Sequence, residues 1–96
     1  MAAWALAQAQ AGLGDLTGLR QTLADWHRAV PRTSAKYDEY RGDLALASGR
    51  SAEALAAWTV SVAQKDRKPR VFAKMGRLEA GQGQWEKAAV AWSGAL

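Results

Sequence analysis

A pattern of glycine, alanine and tryptophan recurs in this chain after a fixed interval. Gly42, Gly49, Ala54 and Trp58 are followed 34 residues later by Gly76, Gly83, Ala88 and Trp92, and the two copies start at Ala35 and Pro69. Glycine and alanine are common here, but the tryptophan match and the joint register are hard to obtain by chance. A constant period of this length predicts a stack of similar supersecondary units.

A third copy of the pattern precedes these two, with its register shifted by one residue. Its landmarks are, in order, Gly14-Asp15-Leu16 at the turn, then Leu19, Leu23 and Pro31. The shift implies a one-residue difference near Thr33–Ser34, in a loop, where insertions are tolerated. We therefore expect one domain over residues 1–96, with repeats of approximately 1–34, 35–68 and 69–96.

Each unit is predicted to contain two α-helices. Alanine, the strongest helix former, is abundant, only two prolines occur, and β-branched residues are sparse. Apolar residues recur at helical spacing on both sides of each turn. The predicted helices are 2–12, 16–29, 34–47, 51–65, 69–80 and 84–95. We expect Ser34 and Ser51 to cap the third and fourth helices, and Pro69 to lie in a first helical turn.

The sequence contains no set of residues typical of an enzyme, a cofactor site or a metal site. Cysteine is absent, and His27 is the single histidine, which is more typical of a surface or capping residue than of a catalyst. The glycines within 81–83 join two predicted helices and follow no strand, unlike a phosphate-binding loop. Asp38 and Glu39 are neighbours on a predicted helix, so their carboxylates diverge. We expect no enzymatic activity and no cofactor.

Neither a membrane span nor a signal peptide is expected. No run approaches the roughly 20 apolar residues that cross a bilayer. Residues 1–13 are uncharged, contain glutamines and lack a basic n-region. Met1 is interpreted as a start residue added to a fragment of a longer protein.

The unit resembles the tetratricopeptide repeat, whose pattern is W-x₂-L-G-x₂-Y…A-x₃-F…P. The third copy has Phe72-x₂-Met75-Gly76-x₂-Glu79…Ala88-x₃-Trp92, the second has Asp38-x₂-Arg41-Gly42-x₂-Ala45…Ala54-x₃-Trp58, and the first keeps Leu19-x₃-Leu23 and Pro31. The resemblance implies an all-α solenoid of about three repeats, with six antiparallel helices in a right-handed superhelix, cut from a larger bacterial protein. Arg41 and Glu79 depart from the pattern, and each should be open to solvent or paired.

Close helix contacts are expected where small residues coincide. Gly42 with Ala54, and Gly76 with Ala88, supply such pairs, and Trp58 and Trp92 then fill the wedge toward the next repeat.

The resemblance also implies where a partner binds. The first helix of each repeat in this family lines a concave groove that receives a peptide. The corresponding positions are Trp4, Gln8, Ala11 and Gly12, then Lys36, Glu39, Asp43, Leu46 and Ala47, then Arg70, Ala73, Arg77, Ala80 and Gly81. They can equally be solvated faces, with Asp43 and Arg77 paired to each other. Trp4 and Gln8 replace the lysine and asparagine of chaperone-binding members, so no carboxylate clamp is expected.

A basic stretch provides a second candidate surface. Its residues are Lys65, Arg67, Lys68, Arg70, Lys74 and Arg77. Such a stretch can bind phosphate or an anionic polymer, or it can simply complement a helix C-terminus near Lys65. Phe72 is the single aromatic residue within it, too few to stack successive bases, so nucleic acid is not the expected ligand.

Three functions therefore remain open. The leading hypothesis is a non-catalytic scaffold that binds a protein or peptide partner in the groove. The alternatives are a structural spacer within a longer solenoid, and a binder of an anionic polymer such as exopolysaccharide or nucleic acid. The third repeat ends at Leu96 without a polar capping helix, so the uncapped end can self-associate. The resemblance implies bacterial cell-envelope scaffolds, which favours the periplasm over the cytoplasm.

Overall fold

Six α-helices make up the computed structural model, which describes residues 3–31 and 34–95. They are α1 (Ala3–Leu13), α2 (Leu16–Ala29), α3 (Ala35–Ala47), α4 (Ser51–Val62), α5 (Pro69–Gly81) and α6 (Trp85–Ala95). No β-strand occurs in these two ranges, so the prediction of an all-α chain with six helices is confirmed. The expectations placed on Met1, Thr33 and Leu96 lie outside the described residues.

The turns within the three successive helix pairs have the same backbone geometry. Each contains a glycine with positive φ: Gly14 at 74°, Gly49 at 79° and Gly83 at 77°. The residue after each glycine donates its backbone N–H to a carbonyl in the last turn of the preceding helix: Asp15 to Gln10 at 2.9 Å, Arg50 to Ala45 at 2.8 Å, and Gln84 to Glu79 at 2.8 Å. Glycine adopts this left-handed conformation without a Cβ penalty, so each glycine ends one helix and reverses the chain.

Hydrogen bonds show that α3 and α4 run antiparallel. The Ser61 hydroxyl, near the end of α4, donates to the carbonyl of Ala35 at the start of α3, at 2.7 Å. One turn further along, Trp58 Nε1 donates to the Glu39 carbonyl at 3.1 Å. In the next helix pair, Phe72 near the start of α5 faces Gly94 near the end of α6.

Two tryptophans lie directly on glycines of the facing helix. A Cβ added at Gly42 would overlap the Trp58 indole, and one added at Gly76 would overlap the Trp92 indole. Ala54 and Ala88, one turn before each tryptophan, are fully buried. The glycines therefore face the tryptophans of the neighbouring helix in both pairs, and the contacts of Gly42 with Ala54 and of Gly76 with Ala88 stay predictions.

Two apolar clusters join the helix pairs in chain order. The first contains Ala7, Leu19, Leu23, Tyr40 and Leu44, and it packs α1 and α2 against α3. The second contains Ala45, Ala54, Trp58 and Val71, and it packs α3 and α4 against α5. The shortest principal extent is 18 Å, about two helix diameters. The core is thus a series of thin interhelical layers.

Gly42→Ala is expected to destabilise the protein by about 1–3 kcal/mol, because the new methyl group would force the buried Trp58 indole or the helix itself to move. Alanine's higher helix propensity offsets only about 1 kcal/mol of this loss. Gly81→Ala is the matched control, since a Cβ there meets no atom within 4 Å. Urea denaturation should show Gly81→Ala at or slightly above wild-type stability; equal effects at both positions would contradict the packing argument.

Ser34, Ser51 and Pro69 were each predicted to have a specific role at a helix start, and two of these three roles are confirmed. Ser34 caps α3 by accepting a hydrogen bond from the Tyr37 N–H at 3.2 Å, and Pro69 is the first residue of α5. The prediction for α4 is wrong by one residue: Arg50 occupies the N-cap without a side-chain hydrogen bond, and Ser51 already lies in the helix.

Helix α4 ends at Val62, three residues before its predicted end. The chain leaves the helix because its next polar residues bind the N-terminal part of α3. Gln64 Nε2 donates to the Asp38 carboxylate at 2.6 Å, and the Asp66 carboxylate accepts the N–H of Ala35 at 3.4 Å. Lys65 is therefore a loop residue beyond the helix end.

The two residues that depart from the family pattern behave differently. Arg41 is exposed and binds the buried Asp38 carboxylate at 2.9 Å, as expected for a paired, solvent-open position. Glu79 is only 8% exposed, contrary to a solvent-open position, and it lines a cavity with Phe72 and Lys87.

Candidate functional site

A concave cavity of about 470 Å³ lies where α1, α3 and α5 face one another. Its lining includes Gln8, Ala11, Gly12, Glu39, Asp43, Leu46, Ala47 and Arg70, all from the predicted set. On α1 and on α3 these residues follow one another after one, three or four positions, so one face of each helix lines the cavity. Leu16, Leu19, Tyr40 and Lys74 complete the lining, although they were not in that set.

A second cavity of about 520 Å³ adjoins the first. Both cavities are lined by Asp43, Leu46 and Lys74, and the second extends toward the turn after α5. The predicted residues Arg77 and Gly81 line it, together with Trp58 and Leu78. We refer to the two adjoining cavities together as the groove.

An ion cluster of two carboxylates and two cations forms one wall of the groove. The Glu39 carboxylate, 1% exposed, accepts bonds from Arg70 Nε and Nη2, each at 2.8 Å. Lys74 Nζ donates to Glu39 at 2.7 Å and to Asp43 at 2.9 Å. All four side chains therefore join α3 to α5, and we call them the ion cluster.

The cluster keeps Glu39 ionised despite its burial. Burial alone would raise the pKa of Glu39, but hydrogen bonds from Arg70 and Lys74, and their positive charges, outweigh it and lower the pKa below 4.5. The hydrogen bond to Glu39 raises the pKa of Arg70 in turn. Glu39 therefore serves as an internal ion-pair partner, with little surface left for a ligand.

The pKa values of Asp43 and Tyr40 are shifted upward, opposite to that of Glu39. Burial raises the pKa of Asp43 above 3.8, and the charge and hydrogen bond of Lys74 only partly compensate. Burial, together with the negative charge of Glu39, raises the pKa of Tyr40 above 10.0. A proton on Asp43 would weaken its bond to Lys74, so this end of the cluster is the more sensitive to pH.

The other predicted groove residues are placed differently. Lys36 lies over the Trp4 ring, 4.1 Å from its centroid, and Trp4 lines a separate cavity between α1 and α2. Ala73 is partly buried and lines neither cavity of the groove. The hypothesis that Asp43 pairs with Arg77 is wrong, because Asp43 binds Lys74.

The basic stretch lies partly in the loop between α4 and α5 and partly on α5. Lys65 and Arg67 are exposed in the loop between α4 and α5, and Lys68 is partly buried there. Arg70 and Lys74 lie on α5 with their charges largely used by the ion cluster.

Other candidate chemistry is sparse in ranges 3–31 and 34–95. His27 is exposed and stacks on Tyr37 with ring centroids 5.7 Å apart, which suits a surface role. No group of three metal-ligating His, Cys, Asp or Glu residues occurs among the residues described. Nor is any helix in those ranges long and apolar enough to cross a membrane.

Sequence reasoning missed the ion cluster, although a signal for it existed. Arg70 follows Glu39 by 31 residues, and Lys74 follows Asp43 by the same 31 residues. This offset is three residues, close to one helical turn, shorter than the 34-residue interval of the pattern. The same acid-to-cation spacing therefore occurs twice between α3 and α5. Comparison of the chain with protein-family models, curated proteins and solved structures gives no match, so its function is argued from the geometry.

Proposed function

We propose that this chain is a non-catalytic scaffold segment that binds an extended or helical peptide of a protein partner in the groove. The observation that carries the proposal is the groove itself, which is lined by one face of each of the first helices of three successive helix pairs. The cavities are within the roughly 300–1,000 Å³ range of ligand sites. Their mixed lining of leucine, alanine, arginine and lysine suits a peptide.

The architecture proposed for this scaffold is a right-handed solenoid of tetratricopeptide type, with repeats of approximately 1–34, 35–68 and 69–96. The three equivalent glycine turns support it. So does the packing of Trp58 on Gly42 and of Trp92 on Gly76, which are 34 residues apart.

Ion pairing favours a peptide over an anionic polymer as the ligand. Arg70 and Lys74 are bound to Glu39 and Asp43, so an anion would have to compete with carboxylates already in place. Among the rest of that stretch, Lys65 and Arg67 in the loop and Arg77 on α5 are exposed.

Groove binding is tested by selecting peptides from a random displayed library against the immobilised protein. Gly12→Trp should block the groove without disturbing the fold, because Gly12 is helical and exposed and its Cβ would meet no atom within 4 Å. Ala56→Trp, on an exposed position of α4 outside the groove, is the matched control. We expect selected peptides to bind wild type and Ala56→Trp equally, and Gly12→Trp at least about tenfold more weakly.

The choice of positions follows from the structure. Glu39 and Lys74 are unsuitable for this test, since their replacement would disrupt the ion cluster and with it the contact between α3 and α5. Circular dichroism should confirm that both tryptophan variants remain folded. Failure to enrich any peptide, or equal binding by all three proteins, would contradict groove binding and favour the spacer.

A further inference from the structure

The second cavity of the groove has an apolar floor. Leu46, 40% exposed, lines it together with the partly buried Leu78. Trp58 also borders the cavity but is only 1% exposed, and its Nε1 group donates to the Glu39 carbonyl, so Leu46 and Leu78 supply the apolar surface open to a ligand. Covering this apolar surface with a large apolar side chain of a ligand is favourable, because water is displaced from both surfaces.

The rim of this cavity is cationic. Lys74 and Arg77 of α5 line it, three residues apart and so on one helical face, and Arg70, one turn earlier, lines the adjoining cavity. Of the two groove carboxylates, Glu39 is 1% exposed and Asp43 is 19% exposed, and both are bound within the ion cluster. Arg77 is exposed. The charge that the groove presents to a ligand is therefore positive.

We propose that the groove selects an acidic peptide that packs one large apolar side chain against Leu46 and Leu78, while an adjacent carboxylate of the peptide binds Arg77. This inference rests on the proposed function and specifies its ligand. The apolar floor provides the anchor, and charge complementarity chooses the flanking residues. A basic peptide is rejected because it would meet Arg77 and the exposed edge of Arg70.

Peptide composition provides the first arm of the test. A short fluorescein-labelled peptide with a central leucine flanked by aspartate and glutamate is titrated with the protein, and anisotropy is followed. Changing the central leucine to glycine should weaken binding about tenfold, as expected for one buried apolar side chain. Replacing the acidic residues with lysine should abolish measurable binding. Equal binding of the leucine and glycine peptides, or preference for the lysine peptide, would overturn the proposal.

Filling the cavity provides the second arm. Gly81 is helical, lines the cavity, and has no atom within 4 Å of an added Cβ, so Gly81→Leu should occupy the space without strain. We expect Gly81→Leu to bind the leucine peptide about tenfold more weakly than wild type and to lose the preference for leucine over glycine. Ala56→Leu, outside the groove, should retain that preference. Retention of the preference by Gly81→Leu would place the anchor elsewhere and contradict the proposal.

The predicted contact between Arg77 and a carboxylate of the peptide is tested with a separate variant. Arg77→Gln should weaken binding of the acidic leucine peptide about three- to tenfold and reduce its dependence on salt. If peptides selected from the displayed library bind and are blocked by Gly12→Trp, but the acidic leucine peptide does not bind, this inference fails while groove binding stands. If no peptide binds in either experiment, both proposals fail.

Discussion

Trp58→Ala is expected to lower the free energy of unfolding by about 3–5 kcal/mol, as for a large side chain removed from a packed core. Trp58 of α4 is 1% exposed, packs against α3 and α5, and donates a hydrogen bond to the Glu39 carbonyl. Domains of this size are stable by only about 5–15 kcal/mol in total. The substitution should therefore leave the protein partly unfolded or close to it.

Trp92→Ala is the matched control, since Trp92 occupies the same position 34 residues later and lies on Gly76 as Trp58 lies on Gly42. It is 42% exposed, so we expect a loss of only about 1–2 kcal/mol. Urea denaturation measures the free energy of unfolding of both variants. It is followed by far-ultraviolet circular dichroism, because removing a tryptophan itself changes the fluorescence. If Trp58→Ala does not fold, Trp58→Leu should still be more destabilised than Trp92→Leu. Equal losses at the two positions would contradict the packing described here.

The comparison of these two tryptophans shows what the repeat pattern can predict. The pattern predicted that both tryptophans fill a wedge between helices, but it did not predict that each packs on a glycine, a contact that is present twice. It could not distinguish their burial, because burial depends on contacts with other helices. Val71 of α5 packs on Trp58, which is 1% exposed, whereas Trp92 is 42% exposed. Self-association through that end remains a prediction.

Helix positions were predictable because their determinants are local. A glycine with positive φ ends the first helix of each pair, Ser34 caps α3, and Pro69 starts α5. The end of α4 was missed since it depends on Asp66 reaching Ala35, 31 residues away. Local propensity contains no information about such a contact.

The candidate site was predicted in outline and missed in its electrostatics. The resemblance implied groove positions for Gln8, Asp43 and Arg77, and these three residues line the groove. The resemblance also placed Glu39 among the residues available to a partner, but Glu39 is buried and paired. Its partners, Arg70 and Lys74, come from another helix, so its burial follows from the packing of α3 against α5.

Lys74→Met is expected to destabilise the protein by about 2–3 kcal/mol at pH 7, because it leaves Asp43 without its cation and Glu39 with only Arg70. Methionine keeps most of the volume, so the loss reports on charge and not on a cavity. Lys65→Met, in the exposed loop of the same basic stretch, is the control and should change stability by less than about 0.5 kcal/mol.

The pH dependence of this loss follows from the directions of the two pKa shifts. The lowered pKa of Glu39 stabilises the wild-type protein above its unfolded value of 4.5, and that stability is lost as pH falls through the folded pKa. The raised pKa of Asp43 has the opposite effect, because the ionised carboxylate destabilises the folded state. This destabilisation is relieved as pH falls toward the unfolded value of 3.8. The two contributions to wild-type stability therefore oppose each other across this window. Without Lys74 both pKa values rise, so the variant is penalised most at neutral pH.

The difference in unfolding free energy between wild type and Lys74→Met should accordingly shrink to below about 1 kcal/mol near pH 4, where the two carboxylates become protonated in the variant. Adding Asp43→Asn to Lys74→Met should restore part of the stability at pH 7, since it removes the carboxylate left without a cation. Urea denaturation of the four proteins of this double-mutant cycle, at both pH values, measures the coupling. A loss that is independent of pH, or a cycle without coupling, would show that Lys74 acts through its aliphatic stem and not through the ion cluster.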